Sequence, residues 1–229
     1  MDPLLSFLTS LDDTSCLDTS TLTRALYSTD ASLYRVVPQV VARPRTRDEL
    51  LTVARAALAA GLPVTTRGAG TSCAGNAVGT GLIIDVSRHL NAIISIDPDA
   101  RTATVEPGVV QASLQRAAQP FGLRFGPDPS THTRCTIGGM IGNNACGPRA
   151  LGYGRTSDNM VSLEVLTGTG ELITIGGDEL ASPLPALRDL VGANLGTVRL
   201  NFGRFGRQVS GYSLEHLLPE RGFDVARFF

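Results

Sequence analysis

The sequence predicts an α+β fold, with a small parallel β-α-β lobe followed by a larger lobe of antiparallel strands and flanking helices. Three observations carry this prediction. Between Pro38 and Val86, apolar strand-like runs alternate with a helical pattern of period 3.6. Beyond Asn91, strand-like runs come in pairs joined by short turns. Two glycine loops, Arg67–Ser72 and Thr136–Gly147, break the pattern at a glycine density that a plain connection does not need, given its entropic cost.

Residues 1–35 read as short helical pieces around Leu4–Leu11 and Thr21–Tyr27. The β-branched run within Pro38–Arg43 predicts the first strand. Thr46 opens a helix, and Glu49 three residues on completes a capping box. Leu50, Val53, Ala54, Ala57 and Leu58 form its apolar face, and Gly61 sits where a helix ends. The strand Pro63–Thr66 runs into the first glycine loop, and Gly81–Val86 is apolar enough for a strand buried on both faces. This strand–helix–strand order is that of a parallel unit with a crossover helix. Ala92–Ile96 and Arg101–Glu106 then flank the turn Asp97–Ala100. A helix over Val109–Gln119 stops at Pro120 and Gly122. After the second glycine loop come strands Met160–Thr167 and Glu171–Ile175, joined by Gly168-Thr169-Gly170, and surface helices over Pro183–Leu195 and Val198–Arg207.

Composition excludes several classes. No apolar run reaches the roughly 18 residues that span a bilayer, and no signal peptide pattern opens the chain, so the cytoplasm is the default address. A net charge of −1 argues against nucleic acid as the main partner. All 20 basic residues are arginine, which excludes a Schiff-base lysine and a P-loop lysine. Cys16, Cys73, Cys135 and Cys146 form no C-x-x-C pair, so the chain carries neither a zinc nor an iron–sulfur motif. They read as packed thiols rather than disulfides or nucleophiles.

The first loop, Arg67-Gly68-Ala69-Gly70-Thr71-Ser72, follows a strand with no long helix behind it. Successive N–H groups freed by glycine form an anion-binding concavity, to which Thr71 and Ser72 add hydroxyls. A tight turn with no ligand fits the same residues. The loop is not the G-x-G-x-x-G fingerprint, because Ser72-Cys73 stand in place of the third glycine. In the second loop, Gly138-Gly139 can begin a helix whose N-terminus faces a ligand, and Asn143 and Asn144 suit a heterocycle's edge. A glycine-rich crossover inside a packed sheet is the alternative. Gly126-Pro127-Asp128-Pro129-Ser130-Thr131 precedes it, stiffened by its prolines.

The ordered set VVARPRTRDEL, RGAGTS, GLIIDVS, VEPGV, GPDPST, TIGGMIGNNACG, YGRTSDNM, LEVLTGTGE and SGYSLEHLLP resembles the PCMH-type FAD-binding domain of the vanillyl-alcohol oxidase superfamily. The resemblance covers roughly residues 30–225. Within that superfamily the chain looks most like the FAD-linked oxidoreductases of D-2-hydroxy acids, such as D-lactate and D-2-hydroxyglutarate dehydrogenases, especially those fused to an iron–sulfur module. The resemblance implies an N-terminal extension over 1–35, one FAD-binding subdomain over 36–90 and a second over 91–229. It also implies hydride transfer from a small-molecule 2-hydroxy acid to FAD, with electrons passing on to an acceptor.

Carried over residue by residue, the cofactor-binding positions fall as follows. The pyrophosphate cradle is Arg67, Gly68, Ala69, Gly70, Thr71 and Ser72. Pro127, Asp128 and Ser130 lie near the flavin. Thr136, Gly138, Gly139, Gly142, Asn143, Asn144 and Gly147 run along pyrophosphate and flavin, and Tyr153 and Gly154 follow. Many relatives attach FAD through a histidine in the first loop; Gly68–Thr71 has none, which implies non-covalent FAD.

The family pattern runs on past SGYSLEHLLP to a further strand, a loop that closes the flavin site and a substrate-binding cap, whereas this sequence stops at Phe229. It therefore reads as an N-terminal fragment, inactive alone, with any iron–sulfur cluster in a missing C-terminal region. A strand lost in this way exposes an edge that invites self-association. No catalytic residue is assigned. His132, beside the glycine loop, fits either a flavin- or substrate-side histidine or a satisfied loop residue; His89 and His216 read as surface or capping residues. Asp128 and Asp158 fit either groups titrating near the flavin or turn and cap residues, and Arg199, Arg204 and Arg207 fit either a contact with a missing domain or FAD phosphate or a solvated face.

Overall fold

The computed structural model describes residues 2–176, 184–204 and 212–228. They form two compact units: Met1–Phe125, Ser130–Gly139 and Gly168–Gly170 in the first, and Gly126–Pro129, Met140–Thr167 and Glu171–Phe229 in the second.

The first unit opens with helices α1 (Pro3–Thr9) and α2 (Thr21–Leu26), separated by the two-residue strand β1 (Leu17–Asp18). Strand β2 (Val40–Ala42), helix α3 (Arg47–Ala59), strand β3 (Val64–Arg67) and strand β4 (Leu82–Asp85) follow. The sheet order is β1-β2-β4-β3, with β2 and β3 both parallel to β4 through Val40↔Leu82 and Val64↔Leu82. Every residue of β2 and β4 is buried, as a parallel sheet covered on both faces requires. β1 pairs antiparallel with β2 and was not foreseen, because two residues cannot display a period-2 pattern.

Thr46 caps α3 by accepting the Glu49 N–H at 3.1 Å, while Glu49 reaches back to the N–H of Arg45 rather than that of Thr46. The expected box is present, displaced by one residue. The helix buries Leu51, Val53, Ala54 and Ala57, whereas the expected Leu50 and Leu58 are only half-buried. Strands β5 (Ile93–Asp97) and β6 (Thr102–Val105) make the predicted hairpin. Helix α4 (Gln111–Ala118) ends in a 3₁₀ turn closed by Gly122 at φ +69°.

In the second unit, strands β7 (Ser162–Leu166) and β8 (Leu172–Gly176) pair antiparallel through Leu163↔Ile175. Ile173 and Ile175 of β8 join Val191 of helix α7 (Pro185–Ala193), Val198 of helix α8 (Leu195–Asn201), Leu217 and Phe228 in one apolar core. α8 ends earlier than the expected Val198–Arg207 helix; Arg207 lies outside the described residues. His216 corrects the expectation of a surface residue: it is buried beside Leu217, and burial pulls its imidazole below the ordinary histidine pKa. Among the described residues no helix is long and apolar enough to cross a membrane.

Candidate functional site

The first glycine loop leaves the parallel sheet at the C-terminal end of β3, where open α/β sheets place their ligands. Gly70 is left-handed at φ +66°, which favours glycine. Gly68 lies so close to Thr136 that an added Cβ would strike its Oγ1. Arg67 turns inward. Its guanidinium donates to the carbonyls of Thr29 (2.9 Å) and Ala77 (3.1 Å) and lies 5.1 Å from the Tyr27 ring centroid. The Ser72 hydroxyl donates to Asn76 Oδ1 at 3.0 Å and accepts the Ala74 N–H at 3.2 Å, closing the loop on itself. By contrast, the consecutive N–H groups of Gly68, Ala69, Gly70, Thr71 and Ser72 donate to no protein acceptor among the described residues. A run of unused backbone donors on a tight loop is an anion-binding surface.

The second loop begins in the same unit with buried Thr136, which bridges to Val110. Helix α5 (Ile137–Gly142) does start at the glycine pair, as expected. Its leading amides are all used, however. Ile137 donates to Val109 O and Gly138 to Pro107 O, each at 2.8 Å, and Gly139 donates to Thr136 Oγ1 at 3.2 Å. The expectation of a helix N-terminus aimed at a ligand is therefore corrected: the protein itself takes those donors. Gly138 is needed for packing, because an added Cβ would come 2.8 Å from Pro107 Cβ.

Within the second unit, Asn144 at φ +42° ends α5. The Ala145 N–H reaches Met140 O and the Asn144 N–H reaches Ile141 O, both at 2.9 Å, the two bonds of a Schellman motif. Asn144 Oδ1 accepts the Ser157 N–H at 3.1 Å, so this amide oxygen holds the chain rather than standing free. Asn143 and Gly142 are exposed, and a Cβ on Gly142 would meet open space. Gly147 is pressed against the Asp128 carbonyl, and the Asp128 carboxylate pairs with Arg149 at 3.3 Å. Pro127 is buried, while Tyr153 packs on Gly126 from helix α6 (Ala150–Tyr153). Gly154 is left-handed beside Asp158. Burial would raise the Asp158 pKa, but the Arg155 N–H and guanidinium outweigh that and hold it below the ordinary carboxylate value. Ser157 is buried, with its hydroxyl unpartnered among the described residues.

Ser130 is exposed in the first unit, as is His132. Sequence reasoning missed Tyr27, Thr29, Asp85 and Ser157. Asp85, in GLIIDVS, and Ser157, in YGRTSDNM, stood inside motifs that could have flagged them. Among the described residues no cluster of His, Cys, Asp or Glu could hold a metal ion.

The sheet-end loop with unused amides gives the first unit an anion-binding surface. Residues 38–176 match the family described as FAD binding domain, over half of the chain, and the chain belongs to that family. The α+β, PCMH-type fold is supported by the solved structure of alkyldihydroxyacetonephosphate synthase, which matches with TM-score 0.66 at 20% identity over 78% of this chain and 35% of that one. Among curated proteins, D-2-hydroxyglutarate dehydrogenase of Escherichia coli (strain K12) is 34% identical, with 98% of this chain and 24% of that protein covered. Glycolate oxidase subunit GlcD of Bacillus subtilis (strain 168) is 38% identical, with 70% and 34% covered. The chain thus spans about a quarter of the length of the D-2-hydroxyglutarate dehydrogenase it matches.

Proposed function

We propose that this chain binds FAD without a covalent bond, as the cofactor domain of a flavin-dependent oxidoreductase of D-2-hydroxy acids in the D-lactate or D-2-hydroxyglutarate class. The run of five unused amides over Gly68–Ser72 carries the reading. A diphosphate presents enough acceptor oxygens to engage such a run, and its charge suits converging N–H dipoles. Because Arg67 is engaged with backbone carbonyls and the chain has no lysine, the pyrophosphate is held chiefly by backbone and by the Thr71 hydroxyl.

Gly142, in the second unit, has no side chain, and a Cβ there would meet open space, so a ligand can approach its backbone. Bound FAD would accept a hydride from the substrate's α-carbon. This chain's residues bind and orient it, and none is assigned as the catalytic base. The names of the relatives support the substrate class. A cytoplasmic location and self-association through an unpaired strand edge belong to the same reading.

The test is direct. The purified chain is mixed with FAD, gel-filtered, scanned in the visible range and precipitated with acid. The reading expects a yellow protein that releases its flavin into the supernatant, whereas a colourless one overturns it. The elution volume reports self-association in the same run, and a clean monomer counts against the edge contact. D-2-hydroxy acids are expected to leave the flavin of this chain oxidised.

A further inference from the structure

Residues 27–34 precede the family match at 38–176, yet they touch the first glycine loop at Arg67 and Gly70 and the chain just beyond it. At its start, Arg67 donates to Thr29 O at 2.9 Å. In the middle, the Ala31 N–H donates to Gly70 O at 3.1 Å. Beyond the loop, the Ala77 N–H donates to Asp30 Oδ2 at 3.3 Å, and the Tyr34 ring lies where a Cβ on Gly75 would meet it at 2.6 Å.

The segment is itself closed. Val36 N–H donates to Ser28 O at 2.8 Å, Thr29 bridges to Arg35, and Ser32 N–H donates to Asp30 Oδ1 at 2.8 Å. Its base is anchored in the sheet: Tyr27 donates to buried Asp85 at 2.5 Å, and Asp85 pairs in register with Arg67. Burial would raise the Asp30 pKa, but Ser32, the Ala77 N–H and the Arg67 charge together lower it, keeping the carboxylate ionised as an acceptor.

We propose that Tyr27–Tyr34 is a strap that sets the conformation of the Arg67–Ser72 loop, with Tyr27 and Asp30 as positioning residues for cofactor binding. This rests on the FAD reading above. Tying down the Gly70 carbonyl and the Arg67 guanidinium orders the loop before any ligand arrives. The unused amides are then held in place without a further loss of chain entropy on binding.

The experiment compares Asp30→Ala, Asp30→Asn and Tyr27→Phe with the parent chain, by amide hydrogen exchange over residues 68–77 and by flavin fluorescence titration with FAD. Asp30→Ala is expected to speed exchange in that segment and to weaken FAD about tenfold, the scale of one charge-assisted hydrogen bond. Asp30→Asn keeps one of the two acceptor oxygens and is expected to recover part of the affinity. Tyr27→Phe, which removes one hydroxyl, still gives the comparison if Asp30→Ala does not fold. Unchanged exchange over 68–77 in Tyr27→Phe and in any folded Asp30→Ala overturns the strap, even where the melting temperature falls. Faster exchange with unaltered FAD affinity overturns its role in cofactor binding. If the parent chain takes up no FAD, the cofactor reading fails, and the exchange arm still decides whether the strap orders the loop.

Discussion

The two glycine loops look alike in sequence and are built in opposite ways. Arg67–Ser72 commits the Arg67 and Ser72 side chains to the protein and leaves its amides unused; Arg67 sits on the carbonyls of Thr29 and Ala77. In Thr136–Gly147 the amides of Ile137, Gly138 and Gly139 at the start of α5 are committed to Val109, Pro107 and Thr136, and those of Asn144 and Ala145 at its end to Ile141 and Met140. Glycine serves the first loop by granting a left-handed turn at Gly70 and the second mainly by permitting close packing at Gly138 and Gly147. Glycine density alone therefore does not mark an anion site; unused donors do.

Substitutions can break or sharpen this contrast. The largest effect is expected at Gly147→Ala, where the new Cβ would strike the Asp128 backbone carbonyl. Overpacking against backbone should cost about 3 kcal/mol in urea unfolding. Arg67→Ala removes a charged donor from two carbonyls, and a loss of about 2 kcal/mol is expected. If its melting temperature is unchanged and only FAD affinity falls, Arg67 is a ligand residue and the contrast is wrong. Gly70→Ala forces a side chain into φ +66° and toward the Arg67 guanidinium, for about 1.5 kcal/mol and a weaker FAD complex. Gly142→Ala is the smallest in stability. Its Cβ meets open space within a helix, so a gain of about 0.5 kcal/mol is expected, while FAD should bind about tenfold more weakly if the cofactor approaches there.

Much of the fold was legible because the core elements carry their own period. The buried run over Leu82–Ile84, the Thr46 cap and the turn at Asp97–Ala100 are local signals, and each became the element expected. The inward turn of Arg67 was not legible, because its acceptor Thr29 lies 38 residues away in a segment whose own pattern gives no hint of it. The capping role of Asn144 carried a readable signal, since asparagine after a short helix is a left-handed terminator, but the ligand-facing reading of the paired asparagines hid it. His216 failed for a related reason: histidine is rarely fully buried, and only the packed tertiary core around Leu217 encloses it.

The central claim is that FAD is taken up by the unused amides of Gly68–Ser72. Amide exchange over residues 68–76, measured with and without one equivalent of FAD, tests it most directly. The account predicts that exchange at Gly68–Ser72 slows when FAD binds, while the leading amides of α5, already bonded within the protein, change little. Bound FAD with unchanged exchange at Gly68–Ser72 would contradict it.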